Sequence, residues 1–144
     1  MSVKQVSIFL ENKPGKMCEM TDVLAANKIN MRALSLAETE GFGIVRIIVD
    51  DVYDATTVLK DAGYINKLTS VVIVAIPDSP GGLKHVLEVL ASKQINLDYM
   101  YALSTAASSD QAYMVLRVND HKAAEAAFTK AGIKVVTQEE IAEL

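Results

Sequence analysis

The chain has 144 residues, of which 51% are hydrophobic, a formal net charge of −4 and one cysteine, Cys18. A chain of this length can bury a core without disulfides or metals, and its acidic balance without a stripe of basic residues argues against binding to nucleic acid or to anionic membranes. The N-terminal residues do not resemble a signal peptide, and no apolar run approaches the length of a membrane span. The single cysteine has no partner for an intramolecular disulfide. We therefore expect a cytoplasmic protein.

The first 69 residues show patterns in the order strand, helix, strand, strand, helix, strand. Apolar, β-branched runs predict strands at residues 6–10, 31–37, 44–49 and 64–68. Apolar residues at helical spacing predict a first helix through Met17, Met20 and Leu24 and a second through Ala55, Val58, Leu59 and Ala62. Asp51 is a suitable N-cap for the second helix, and Gly63 is expected to end it.

The remaining residues repeat this order. Strands are predicted at residues 71–76, 97–103, 113–118 and 133–137, and helices through Leu83, Val86, Leu87 and Leu90 and through Ala124, Ala127, Phe128 and Ala131. Asp120 and Gly132 take the places of Asp51 and Gly63. Residues 41–43 and 107–110 are predicted to form hairpin connections, and each first helix is expected to hold a proline in its first turn.

The two halves are copies of one unit. Pro14-Gly15 recurs 66 residues later as Pro80-Gly81, and Ile29-Asn30 recurs at the same distance as Ile95-Asn96. We therefore predict two domains, residues 1–69 and 70–144, each a ferredoxin-like βαββαβ fold of the α+β class with both helices on one face of a four-stranded antiparallel sheet. Because a domain of about 70 residues is marginally stable, we expect the halves to pack side by side as a pseudo-dimer.

The aligned third strands indicate which sheet face lies under the helices. The face expected there is apolar in both copies and holds Val45, Ile47, Val49, Met114, Leu116 and Val118. The opposite face holds Ile44, Arg46, Ile48, Tyr113, Val115 and Arg117. That face is too apolar for full exposure to water, so we expect a second chain to cover it in a homodimer. Ordinary exposed apolar surface is the alternative interpretation.

Residues capable of catalysis are few. The sequence has no Gly-rich phosphate loop, no His and Cys at metal-ligand spacing and no Ser-His-Asp set, and its histidines, His85 and His121, are isolated and typical of surface residues. Cys18 has no activating neighbour for a nucleophilic role. We expect no enzymatic activity, no cofactor and no metal site.

The turns at residues 11–16 and 77–82, with the aliphatic helix after each and the Ile-Asn pair before each second strand, resemble the ACT domain, a small-molecule-sensing module of amino-acid metabolism. The resemblance covers the whole chain, once per half. It implies a free-standing tandem ACT protein that binds an L-amino acid and signals to a partner. Two alternatives remain: a regulatory subunit of a biosynthetic enzyme, resembling the small subunit of acetolactate synthase, and an enzyme or thiol protein acting through Cys18.

The turn itself suits an amino acid. A helix N-terminus offers unpaired N–H groups to a carboxylate, glycine allows close approach of a ligand, and Asn12 or Asp78 is placed to bind an ammonium group. The resemblance adds Asn30 and Asn96, which it places near an amino acid bound between the halves. Tyr99 and Tyr101, on the second strand of the second half, are candidates to line a side-chain pocket, and packing residues are the alternative interpretation. The predicted ligand-binding residues are Asn12, Lys13, Pro14, Gly15, Lys16, Met17, Asn30, Met31, Asp78, Ser79, Pro80, Gly81, Gly82, Leu83, Asn96, Leu97 and Tyr99.

The chain departs from one ACT-domain pattern, and the same residues also have a structural interpretation. ACT domains that bind serine have a histidine two residues before the first asparagine, whereas this chain has Leu10 and Ile76 at those positions. The alternative reading of the same residues is structural: Asn12 and Asp78 cap helices, Pro-Gly shapes the turn, and Asn30 and Asn96 satisfy turn backbone.

Overall fold

The computed structural model describes residues 2–104 and 110–144. The chain divides into two compact units, one of residues Lys4–Thr69 and one of residues Ser70–Leu144 together with the first residues of the chain. In the described ranges, no helix is long and apolar enough to cross a membrane. We describe each unit separately.

The first unit has the predicted order of strands and helices. Its elements are β1 (Val3–Glu11), α1 (Lys16–Ala26), β2 (Met31–Thr39), β3 (Phe42–Val49), α2 (Val52–Asp61) and the beginning of β4 (Ile65–Pro77). Strand β3 pairs antiparallel with both β1 and β2, and Val45 lies opposite Ile8 on one side and Leu36 on the other. Strand β1 is also a neighbour of β4, where the hydroxyl groups of Ser7 and Thr69 are 3.4 Å apart.

The second unit repeats this arrangement. It contains the rest of β4, then α3 (Gly82–Ser92), β5 (Leu97–Ala102), β6 (Gln111–Val118), α4 (His121–Lys130), β7 (Lys134–Val136) and a short α5 (Gln138–Ile141). Strand β6 lies between β4 and β5, and β7 pairs with β4, all antiparallel. The α+β class and the tandem βαββαβ order are therefore confirmed.

Each unit has its own core between one sheet face and two helices. Val45, Ile47 and Val49 are fully buried against Met20, Leu24, Ala55 and Leu59 in the first unit. Leu116 and Val118 are buried against Val86, Leu90, Ala124 and Phe128 in the second, with Met114 packed at the margin. This confirms the predicted helix-facing side of the sheets.

The predicted caps of the second helices are also confirmed. The Asp51 carboxylate accepts a hydrogen bond of 2.9 Å from the Asp54 N–H, and Asp120 accepts one of 3.0 Å from the Ala123 N–H. Glycines follow both helices in the left-handed region, with φ of 89° at Gly63 and 78° at Gly132. Each half thus starts and stops its second helix by the same local chemistry.

The opposite sheet face differs from the prediction. Ile48 and Val115 are 0% exposed within this chain, while Ile44 and Tyr113 are half-buried. A second chain is therefore not required to cover Ile48 or Val115, and that premise for a homodimer is wrong at these two positions. The homodimer itself stays a prediction, which light scattering at micromolar concentration checks.

Several element boundaries also differ from the prediction. The predicted strands at residues 64–68 and 71–76 are parts of one thirteen-residue strand, β4. Strand β1 begins at Val3 because Gln5 and Ser7 are buried and hydrogen-bonded to each other at 2.9 Å, which removes the cost of burying them. The hairpin predicted at residues 41–43 turns at Glu40 and Gly41. In the hairpin predicted at residues 107–110, residues 107–109 lie outside the described residues.

The second strands of the two units carry opposite charges at equivalent positions. In the first unit, the Arg32 guanidinium donates to both Asp50 carboxylate oxygens, at 2.8 and 3.1 Å. In the second unit the equivalent residue is Asp98, whose Oδ2 lies 4.0 Å from Nε of Arg117. The hydrogen-bonded carboxylate of Asp50 raises the pKa of Arg32.

Candidate functional site

The two Pro-Gly turns have the same backbone structure. The Lys13 N–H donates to the Glu11 carbonyl at 3.0 Å, and the equivalent Ser79 N–H donates to the Pro77 carbonyl at 2.9 Å. Gly15 and Gly81 then adopt left-handed conformations with φ of 84° and 89°, which residues with a Cβ rarely adopt.

The first helices begin after these glycines, at Lys16 and Gly82. The prediction that Pro14 and Pro80 lie in the first helical turn is wrong. The prolines precede the N-cap glycines and fix φ within the turn instead.

Asn12 and Asp78 do not cap the helices that follow them. The N-cap residues are Gly15 and Gly81, and neither helix has a side-chain cap. Both Asn12 and Asp78 are exposed, and in the described part of the chain neither side chain has a hydrogen-bond partner. The structural interpretation of these two residues as caps is therefore wrong, and both side chains are available to a ligand.

The N–H groups of the second turn are partly occupied. The Gly82 N–H donates to the Ser79 carbonyl at 3.1 Å. Among the described residues, the N–H groups of Gly81 and Leu83 have no acceptor. Two of the three N–H groups predicted to receive a carboxylate are thus unpaired among the described residues, and the expectation for Gly82 is corrected.

Gly82 also has a structural role. A Cβ at this position would lie under 3.0 Å from the Pro77 carbonyl oxygen, closer than real Cβ atoms approach other atoms. The space that glycine was expected to open to a ligand is thus filled by the chain itself. At Gly81, by contrast, nothing lies within 4 Å of an added Cβ, so the approach to the turn is open there.

An open cleft borders each turn. The first has a volume of about 350 Å³ and is lined by Leu10, Glu11, Asn12, Lys13, Pro14, Gly15, Lys16, Met17, Leu36 and Gly43. The second has a volume of about 480 Å³ and is lined by Ala75, Ile76, Pro77, Ser79, Pro80, Gly81, Gly82, His85, Val86, Gln111, Gly132, Ile133 and Lys134. Both volumes fall in the range typical of small-molecule sites, about 300–1,000 Å³.

The two clefts differ in the elements that supply their lining residues beyond the turn. Residues of β2 and β3 complete the first cleft, whereas residues of α3, β6 and β7 complete the second. No local sequence pattern indicates His85, Gln111 and Lys134 as cleft residues, because strand pairing and helix packing bring them to the turn. Gln111 lies opposite Pro77 and Lys134 lies opposite Ala75, a register that no local motif specifies.

The charges of the first cleft are paired within the chain. Lys13 Nζ lies 2.8 Å from a Glu11 carboxylate oxygen, and Lys16 Nζ lies 3.5 Å from Glu19. The hydrogen bond from Lys13 lowers the pKa of Glu11, and the same bond raises the pKa of Lys13. The rim of this cleft therefore holds both signs of charge at neutral pH.

One cation of the second cleft is held by the C-terminal helix. Lys134 Nζ donates to Glu140 Oε1 at 2.7 Å, and the other Glu140 oxygen accepts from the Thr137 N–H at 2.7 Å. The Thr137 hydroxyl accepts in return from the Glu140 N–H, which completes a capping box for α5.

This cap should depend on pH. The hydrogen bond from Lys134, and then that from the Thr137 N–H, lower the pKa of Glu140 below its ordinary 4.5. A carboxyl with a lowered folded pKa stabilises the fold above its unfolded pKa, and this contribution is lost as pH falls through the folded pKa. We expect the Thr137 amide proton signal in an NMR titration to shift with a midpoint below 4.5. Glu140→Gln should abolish that step, and a midpoint at or above 4.5 would contradict the assignment.

The other predicted residues lie away from the turns of their own units. Asn30 and Asn96 follow the far ends of α1 and α3, and an eleven-residue helix is about 16 Å long. One small ligand cannot contact both ends of such a helix within one unit.

Two of these residues have structural partners. The Asn96 side chain donates to Asp98 at 2.8 Å, and its N–H donates to the Asn119 side chain at 3.0 Å. The rings of Tyr99 and Tyr101 stack with centroids 6.5 Å apart. Met31 and Leu97 pack against the two cores, whereas Asn30 is exposed.

Two further reactive side chains are not among the residues that line the two clefts. Cys18 is exposed on α1, and His121 is the first residue of α4. Within the described part of the chain, no group of three His, Cys, Asp or Glu residues could hold a metal ion.

Comparison with known proteins agrees with the fold. The crystal structure of a protein from Bacteroides thetaiotaomicron is similar, with a TM-score of 0.91 and 35% identity over 100% of this chain and 98% of that chain. The ligand-free regulatory subunit of aspartate kinase from Thermus thermophilus has a TM-score of 0.66 and 17% identity over 91% of this chain and 93% of its own. The corresponding Thermus flavus subunit has a TM-score of 0.62 and 16% identity over 90% of each chain.

The sequence comparisons give the family. No curated protein is significantly similar in sequence to this chain. The family model for the ACT domain pair, however, matches residues 1–144. This match spans both βαββαβ units, so the chain belongs to the family of ACT domain pairs.

Proposed function

We propose that the protein is a regulatory amino-acid sensor without enzymatic activity, which binds a free L-amino acid at the Pro-Gly turns of its ACT domains. The observation that carries this proposal is the state of Asn12 and Asp78. Both are exposed, and neither has a partner in the described part of the chain. Asn12 lines the first cleft, and Asp78 belongs to the turn that borders the second cleft without lining it. Polar side chains that are not used by the fold, beside a preformed cleft, favour a ligand.

The second turn suits the two charged groups of an amino acid. The N–H groups of Gly81 and Leu83, near the positive end of the α3 dipole, would receive the carboxylate. The Asp78 carboxylate would receive the ammonium group. In the first unit Asn12 replaces Asp78, so the equivalent site would bind the ammonium group through a neutral oxygen and more weakly.

The sequence-based placement of the ligand between the halves, near Asn30, is part of this proposal. Asn30 is exposed and has no partner among the described residues. Calorimetry on Asn30→Ala tests it: weaker binding supports a contribution from Asn30, and unchanged binding restricts the ligand to the turns and their clefts.

A screen of the twenty L-amino acids by thermal unfolding tests the binding function. A ligand that binds the folded protein at 100 times its Kd stabilises it by about 2.7 kcal/mol, so at least one amino acid should raise the Tm clearly. Calorimetry should then give a saturable isotherm for that amino acid, with its D-enantiomer as the control. If no amino acid shifts the Tm or produces heat, the sensing function is wrong.

A second candidate is a regulatory subunit of a separate catalytic chain. The observation that favours it is that the Thermus subunit, named as regulatory, has this fold over nearly its whole length. Co-expression with a biosynthetic kinase or synthase from the same source tests this candidate. A stable complex whose enzymatic activity changes with the bound amino acid would support a regulatory subunit. If the activity of the catalytic chain does not change, this candidate is wrong and the free-standing sensor is retained.

A further inference from the structure

One lysine that lines the second cleft, Lys134, forms an ion pair with a residue outside the lining, and this pair has no counterpart in the first unit. Lys134 lines this cleft, and its ammonium group is held at 2.7 Å by Glu140, which does not line it. The equivalent residue of the first unit is Ile65, and after Ile65 the chain continues along β4 without a counterpart of α5. Lys134 and Glu140 are therefore specific to the second unit.

The side chains that line the second cleft include His85 and Lys134 but no carboxylate, whereas Glu11 lines the first cleft. Asp78 belongs to the turn that borders the second cleft but does not line it. A lysine ammonium on its flexible stem binds a carboxylate as a point charge, without demanding a fixed angle. The Lys134 side chain is 57% exposed, so its bond to Glu140 contributes little stability and is readily exchanged.

Glu140 is placed so that this exchange leaves the fold intact. One of its oxygens binds Lys134, while the other accepts the Thr137 N–H in the capping box. If Lys134 moves to a ligand carboxylate, the second oxygen still holds the cap of α5. The carboxylate of Glu140 thus competes with a ligand for Lys134 without being part of the cleft.

We propose that the second cleft selects an amino acid with a carboxylate side chain, that Lys134 recognises this carboxylate, and that Glu140 restrains Lys134 as a built-in competitor. The proposal rests on the amino-acid-binding function above and assigns the class of its ligand. In this arrangement the turn N–H groups bind the α-carboxylate group, and Asp78, which belongs to the same turn but does not line the cleft, is assigned the α-ammonium group. Lys134 discriminates between an acid and its amide.

Calorimetry on the full chain tests this assignment with L-glutamate, L-aspartate and their amides, L-glutamine and L-asparagine. The wild type should bind one of the acids more tightly than its amide. Lys134→Met should lower the affinity for that acid about tenfold and leave the affinity for the amide unchanged. Glu140→Gln retains an oxygen for the Thr137 N–H but removes the competing charge, so it should raise the affinity for the acid about two- to fivefold.

Glu139→Gln is the matched control, since it removes a neighbouring exposed charge that has no partner in the described part of the chain. Its isotherms should equal those of the wild type, and circular dichroism should show that all variants are folded. If Lys134→Met leaves the ratio of acid to amide affinity unchanged, the assignment of the acidic ligand is wrong while amino-acid binding stands. If the wild type binds no amino acid of the full set of twenty, the proposed function is wrong as well.

Discussion

Replacing Gly82 with alanine is expected to destabilise the protein by about 2–3 kcal/mol, since inserting a methyl group into a filled space forces the backbone to move. The added Cβ would overlap the carbonyl oxygen of Pro77, which the turn holds by its bond to the Ser79 N–H. Relief of the overlap requires the α3 N-terminus to move away from the end of β4. Urea unfolding measures the loss as a change in the free energy of unfolding.

The first unit supplies the control for this substitution. Lys16 is the equivalent of Gly82, and its turn has the same hydrogen bonds although Lys16 carries a Cβ. Lys16→Ala loses an exposed ion pair to Glu19 and should change the free energy of unfolding by less than about 0.5 kcal/mol. If the two variants have the same free energy of unfolding, the Pro77 carbonyl oxygen does not lie close enough to position 82 to exclude a Cβ.

Removing the Asp78 carboxylate is expected to weaken amino-acid binding by about ten- to a hundredfold, the effect of losing a charge-assisted hydrogen bond of about 1.5–3 kcal/mol. Because Asp78 does not cap α3 and is exposed, Asp78→Ala should leave the free energy of unfolding within about 0.5 kcal/mol of the wild-type value. Calorimetry and urea unfolding on the same preparations separate the two effects.

Asp61→Ala serves as the control for Asp78→Ala, and Asn12→Ala is the equivalent variant at the first turn. Asp61→Ala removes an exposed carboxylate at the end of α2, far along the chain from either turn, and should leave binding unchanged. Asn12→Ala should weaken binding at the first turn if that site is also occupied. Unchanged affinity in both Asp78→Ala and Asn12→Ala would place the ligand away from the turns.

The parts of the fold that could be predicted depend on local chemistry. Asp51 and Asp120 cap helices through bonds to N–H groups three residues away, so the sequence near each residue is sufficient to identify the cap. The duplication also aligned the third strands, which indicated the buried face correctly. The helix caps and the buried strand face were both inferred from the spacing of residues within one element. Packing between elements does not change that spacing.

The failures have tertiary causes. The letters Pro-Gly do not reveal whether the glycine takes a helical or a left-handed conformation. With the left-handed conformation found at Gly15 and Gly81, the proline lies in a turn before the helix. The burial of Ile48 and Val115 depends on packing of the folded chain, which alternation along one strand does not reveal. His85, Gln111 and Lys134 meet at the second cleft from three different elements, so their proximity requires the strand register.

The opposite charges of Arg32 and Asp98 bear on how a duplicated chain folds. Two halves with the same strand order can exchange equivalent strands, a characteristic error of repeat proteins. If such an exchange occurred, Arg32 would lie beside Arg117, and Asp98 would lie beside Asp50. Like charges on neighbouring strands oppose pairing. This reversal of charge between the copies therefore favours pairing of each second strand within its own half.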